Sequence, residues 1–246
     1  SLCARAVTRL GRSELPQAFV VDPWGWCGAI SSPMVSVWWK ANGQAHSVGQ
    51  FPMTLTNVEL NQKLSDDTHA IITTHTHEGI QVDFFHWSVI LDGQCSIAVL
   101  AKVTVQDPTE IELGFSIQPM GVDGASPIFQ IERTHKGLWL ADTTPILTLA
   151  SNGSYTLQST ASTPSLWTKF STQGYPEQLL GPTMLRCKEG QASAIEVHRG
   201  MATPEKPYSQ LAVLYPSPEA SSLIVRTNEY SLWNGAIADR NGLRSA

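Results

Sequence analysis

"HAIITTHTHEGIQVDFFHWSVILDGQCSIAVLAKVTVQDPTEIELGFSIQP", residues 69–119, decides the fold. Its runs 69–76, 80–91, 95–105 and 110–118 are divided by Glu78-Gly79, Asp92-Gly93 and Asp107-Pro108. Each run is rich in β-branched or aromatic residues, and none keeps a 3.6-residue period for the length a helix needs. The stretch reads as a meander of strands joined by tight turns. Its first turn poses a metal question, because His75 and His77 at i, i+2 share one strand face. Zinc needs three or four ligands. Glu78 points to the opposite face, and Ile80-Gln81-Val82 supplies no carboxylate. The stretch is therefore read as a hairpin, with neither metal nor cofactor. His86 shares the parity of Ile80, Val82 and Phe84, so a buried, hydrogen-bonded histidine is expected there.

The same rhythm extends outward. "MVSVWWK" (34–40) runs into Asn42-Gly43, a strong hairpin pair, and Lys136-Gly137 and Asn152-Gly153 are further turn signals. Runs 183–188, 192–199 and 209–215 follow. On the order of 14–18 strands with turns about every 8–12 residues are the mark of a sandwich or barrel. Residues 1–17 are polar and mixed and read as an irregular lead-in. Residues 18–216 form the all-β domain. Residues 217–246 open with Ser217-Pro218-Glu219, a helix start, and carry the apolar stripe Leu223, Tyr230, Leu232, Trp233 and Ile237, a short helical connector.

Composition agrees with many strands and turns. Of 246 residues, 42% are hydrophobic and only 15% charged, while 18 Gly and 15 Pro punctuate the chain. A net charge of −5 offers no basic surface for nucleic acid or an anionic membrane. No apolar run reaches the ~18–20 residues of a membrane span. Cys3, Cys27, Cys95 and Cys187 form no C-x-x-C and read as free thiols, which suits a cytoplasmic setting.

No nucleophile elbow, phosphate-binding loop or dinucleotide fingerprint is present. Asp66-Asp67, Glu110 with Glu112, and Asp83 all read as solvated loop or strand-face carboxylates rather than a glycosidase pair. Tryptophan is the unusual item: eight residues, four of them at Trp24, Trp26, Trp38 and Trp39. Indole faces stack on sugar rings, and Trp24-Gly25-Trp26 in a Gly/Pro-rich loop is the candidate carbohydrate contact. Trp38 and Trp39, adjacent on a strand, point to opposite faces, so one belongs to the core.

The segment 96–149 resembles the amino-terminal β-supersandwich domain of bacterial glycogen-debranching-like and related (α/α)6-barrel glycoside hydrolases. The resemblance rests on the connection Val103–Pro108 and on Phe115-Ser116-Ile117-Gln118-Pro119. It rests also on Gly124-Ala125-Ser126-Pro127-Ile128 and on the preceding "GIQVDFFHWSVIL" (79–91), and it extends over about residues 20–215. It implies a large two-sheet antiparallel sandwich of galactose-mutarotase-like architecture packed beside a helical barrel. The catalytic acids would lie in that barrel, for which this chain has no segment, so no family catalytic residue carries over. The chain is then expected to be a non-catalytic domain of a bacterial glycoside-hydrolase-like protein, with carbohydrate and an (α/α)6-barrel as partners. Mutarotase-type proteins share the architecture and do catalyse, with a His and a Glu on the concave face. His86 and His198 are the candidates on that alternative. A stand-alone carbohydrate-binding module is the third.

Overall fold

The computed structural model describes residues 8–10, 19–46, 58–65, 70–91, 93–121, 124–159, 165–172 and 181–217. The expected helical connector and Asp66-Asp67 fall outside these residues. The chain opens with β1 (Thr8–Leu10), β2 (Phe19–Val21), β3 (Cys27–Ala29), β4 (Val35–Ala41) and β5 (Gln44–Ala45). It continues through β6 (Glu59–Leu64), β7 (Ile71–His77), β8 (Ile80–Leu91), β9 (Gln94–Val105) and β10 (Thr109–Ile117). Short strands β11 (Met120–Gly121) and β12 (Gly124–Ala125) precede β13 (Gln130–Arg133), β14 (Trp139–Ala141), β15 (Thr144–Leu149) and β16 (Ser154–Ser159). A helix, α1 (Leu166–Thr172), then leads to β17 (Thr183–Arg186), β18 (Ala192–Ala202) and β19 (Tyr208–Leu214).

Two large antiparallel sheets result. One runs β1-β2-β3-β4-β10-β18-β16, with β5 paired to β4; the other runs β17-β13-β14-β15-β19-β9-β8-β7-β6. The all-β sandwich expected from the strand rhythm is the observed architecture. One short strand forms within the expected lead-in: Thr8–Leu10 pairs with Phe19–Val21 as an edge strand. Asn42 (φ 48°) and Gly43 (φ 79°) turn the β4–β5 hairpin, and Glu78 (φ 41°) and Gly79 (φ 80°) turn β7 into β8. Positive φ at both central residues is what a two-residue hairpin turn matching strand twist requires.

Alternation within strands builds the core between the sheets. Trp39, Leu113, Phe115 and Ala194 of the first sheet meet Val82, Phe84, Val99 and Leu214 of the second in one buried cluster. The outer faces are apolar too, which explains why β8 and β9 read as nearly continuous apolar runs. Trp87, Val89, Ala98, Leu211 and Val213 cluster on the outer side of the second sheet. On the first sheet, Trp38, Ile195 and Val197 are covered by Leu166 and Phe170 of α1. Both Trp38 and Trp39 are therefore buried, at 1% and 0% exposure. Only one was expected in the core; the other is enclosed because a seven-residue helix lies across its face.

Past β19, Tyr215 fastens the two sheets. Its hydroxyl accepts from Ala29 N at 3.0 Å and donates to Pro33 O at 2.7 Å, while its ring stacks on Phe19 at 5.6 Å between centroids. Burial pushes its phenol well above the ordinary range, so the hydroxyl stays a donor.

Candidate functional site

The Trp24-Gly25-Trp26 segment connects β2 to β3 and folds inward against β7 and β8. Asp22 nucleates it: its Oδ1 accepts from both Trp24 N and Trp26 N at 2.9 Å, an Asx-turn arrangement. Gly25 (φ 83°) follows, and a Cβ there would meet Phe84 at 3.3 Å and Thr73 at 3.4 Å. Only glycine combines that backbone with so close an approach. Gln62 of β6 adds a tie from outside, donating to Asp22 O at 2.7 Å and Thr73 Oγ1 at 2.9 Å.

Two histidines from the opposite sheet hold the loop's carbonyls. His75 Nε2 lies 3.2 Å from Trp24 O, and His86 Nε2 lies 3.0 Å from Gly25 O. A carbonyl only accepts, so both Nε2 atoms carry hydrogen. Trp39 Nε1 donates to the remaining nitrogen of His75, Nδ1, at 3.2 Å, which saturates the neutral ring. Burial pushes both histidines down to about 4, against smaller opposing effects of the loop carbonyls. The i, i+2 histidines thus diverge in role. His75 is a buried structural donor, whereas His77 packs in a tilted arrangement against His46 at 4.1 Å between ring centroids, across the gap between the sheets.

Within the loop, Trp26 is buried (4% exposed) and Trp24 is half-buried. The structure therefore sets one indole of the pair in the core and leaves the other at the loop rim. Of the carboxylates, Glu110 is exposed, and Asp83 accepts from Thr74 Oγ1 and Gln81 Nε2, each at 2.7 Å. Glu112 lies between Lys40 Nζ at 3.8 Å and Arg199 Nε at 3.5 Å.

His198 sits elsewhere, on the inward face of β18 with Ala194 and Glu196, and its ring meets Phe115 edge-on. His86 and His198 occupy separate hydrogen-bond networks, at 0% and 4% exposure. The charged member of the His198 network is Glu196, which sequence reasoning passed over. Arg133 of the opposite sheet donates to it from Nε at 3.1 Å, Trp139 Nε1 at 2.7 Å and Gly153 N at 2.8 Å. Burial pushes the Glu196 carboxyl up, but the nearby His198 ring, the Arg133 and Gly153 donors and the Arg133 charge outweigh it and hold it below the usual range. The signal was present in "ASAIEVH": an acid on the parity of buried alanines needs a buried partner.

Cys27, Cys95 and Cys187 are buried thiols. Among the described residues, no helix is long and apolar enough to cross a membrane.

No protein-family model and no curated protein matches this chain. Among solved structures, a bacterial glucoamylase in complex with acarbose shares the fold over 95% of this chain, with TM-score 0.51 and 8% identity. A chain described as a kojibiose phosphorylase from the human microbiome aligns over 97%, with TM-score 0.46 and 8% identity. This chain spans only 37% and 31% of those two chains, respectively.

Proposed function

We propose that residues 18–216 are the supersandwich domain of a glycoside-hydrolase-like protein, set amino-terminal to a helical (α/α)6-barrel that carries the chemistry. The observation that supports this most is the asymmetry of the structural match, 95% of this chain against 37% of the glucoamylase. The separation of His86 and His198 into different networks speaks against a mutarotase-type histidine pair. On this reading, carbohydrate contact falls to Trp24. Its loop is held by Asp22, His75 and His86, so an indole there is pre-organised and loses little entropy on stacking.

Sequencing the parent gene across the codon for Ala246 tests the reading. An open frame continuing for several hundred codons with helical periodicity is the expected result, and a stop codon there would overturn it. The Trp24 contact is tested separately by tryptophan-fluorescence titration with acarbose. Saturable quenching abolished in Trp24→Ala is expected; identical titrations of the two proteins remove Trp24 from the proposal.

A further inference from the structure

Ser151 lies in the exposed turn between β15 and β16, and its Oγ is 3.2 Å from His198 Nδ1. The other ring nitrogen, Nε2, is 3.6 Å from Glu196 Oε1. An exposed hydroxyl, a buried imidazole and a buried carboxylate therefore stand in the order that acyl-transfer chemistry uses, with the two ring nitrogens exchanged. The spacing to the carboxylate is that of a resting site, where such contacts are often long.

The hydrogen-bond directions follow from Gln210. Its Oε1 lies 3.0 Å from Ser151 Oγ and its Nε2 3.2 Å from Tyr208 Oη. With that amide orientation Ser151 gives its hydrogen away from the imidazole, and His198 Nε2 is buried without a hydrogen-bond partner. Exchanging the amide oxygen and nitrogen leaves the packing unchanged. Every hydrogen then runs one way: Tyr208 O–H to Gln210, Gln210 N–H to Ser151 Oγ, Ser151 O–H to His198 Nδ1, and His198 Nε2–H toward Glu196. That order leaves Nε2–H facing Glu196 Oε1, 3.6 Å away.

Two neighbours complete the site. Arg133 Nη2 donates to Asn152 Oδ1 at 2.9 Å, which leaves the Asn152 side-chain amide as an N–H donor one residue from Ser151. The Gly137 turn closes over it, with the Gly137 Cβ position 3.3 Å from Asn152 Oδ1. Ser151 itself is exposed, so a small ester reaches its hydroxyl without any rearrangement of the sandwich.

We propose that Ser151 is a nucleophile toward short-chain carboxylic esters, with His198 as general base and Glu196 as the residue that positions it. Ser151 Oγ attacks the acyl carbon as its proton passes to His198 Nδ1, and Asn152 donates to the developing oxyanion. The acyl C–O bond breaks, and the alcohol leaves with that proton. Water then attacks the acyl-serine through the same imidazole, releasing the acid and restoring Ser151. The sum is ester plus water giving acid plus alcohol. This activity would belong to the sandwich itself, whatever lies beyond residue 246.

The test treats the full chain with a fluorophosphonate probe and maps the adduct by mass, alongside p-nitrophenyl acetate hydrolysis. One adduct on Ser151 is expected, and hydrolysis falls about 100-fold in Ser151→Ala and in His198→Asn, the scale of a lost nucleophile or base. In Glu196→Gln the rate falls and the acidic limb of the pH–rate profile moves, which a purely structural loss would not do. An adduct elsewhere, no adduct, or equal hydrolysis by wild type and a folded Ser151→Ala overturns the proposal. If the alanine variant does not fold, Ser151→Cys serves. Its alkylation by iodoacetamide should slow about 10-fold when His198→Asn is added, and a rate unchanged by that second substitution overturns the proposal equally.

Discussion

Acid should loosen this sandwich in a window set by two histidines rather than by its carboxylates. His75 and His86 are neutral in the folded protein, with pKa values pushed down to about 4 from the ordinary 6.5. Unfolded, each regains its ordinary value and takes up a proton below about pH 6.5, so the unfolded state binds more protons between 6.5 and 4. Stability therefore falls as pH falls through that window. The linkage integral gives a loss of about 2 kcal/mol per histidine at pH 5 and about 3 kcal/mol near pH 4. Two such groups remove an amount comparable to the whole stability of a typical domain, about 5–15 kcal/mol. His86→Gln isolates one of them, since a glutamine amide can donate to Gly25 O in place of Nε2 but does not titrate. Urea unfolding followed by tryptophan fluorescence at pH 7, 6, 5 and 4.5 reads the result. The variant should lose about 2 kcal/mol less than wild type between pH 7 and 5. Parallel stability curves for the two proteins would refute the reasoning, because the pH dependence would then come from other groups. Glu196 contributes in a different window: its depressed pKa supplies stability at neutral pH that is lost only as pH falls through and below the usual carboxylate range.

Three further outcomes follow from the packing. Gly153→Ala drives a Cβ into Val197 O and to 2.8 Å from His198 Nε2, so it should cost about 1–3 kcal/mol by differential scanning calorimetry. Tyr215→Phe leaves the buried hydroxyl's two partners, Ala29 N and Pro33 O, without it, and chemical denaturation should show a loss of about 1–3 kcal/mol. Arg133→Met strips the cation from Glu196 inside the core and should lower stability by about 3–5 kcal/mol, several times more than removing the surface cation Lys188, as thermal melts of the two variants will show.

Strand positions were legible because both signals that mark them are local. Run 80–91 is β8 residue for residue, and the expected 95–105 and 110–118 differ from β9 and β10 by a residue at their ends. The partners of those strands were not legible. β10 lies between β4 and β18, more than sixty residues away on either side, and nothing in "IELGFSI" names either neighbour. α1 escaped notice because seven residues hold too little periodicity to announce a helix. Its consequence, the burial of Trp38, escaped with it. At the candidate site, the parity of His86 was readable from its own strand. The inward fold of Trp26 depends on Asp22, His75 and His86 acting together, and Glu196 is matched by an arginine 63 residues away.

The Tyr215 clasp bears on the order of assembly. Its hydroxyl reaches back 186 residues to Ala29 and 182 to Pro33, and β18 must likewise arrive before β10 gains its second neighbour. The β6–β9 meander, by contrast, is built from consecutive hairpins. A growing chain can therefore close the second sheet's hairpins while the first sheet still waits for its central partners. Contacts spanning so long a loop form late and keep folding slow. Such a late contact acts chiefly on the rate of opening rather than of folding. The tyrosine at position 215 is thus better described as a latch on unfolding, setting how long an assembled sandwich survives.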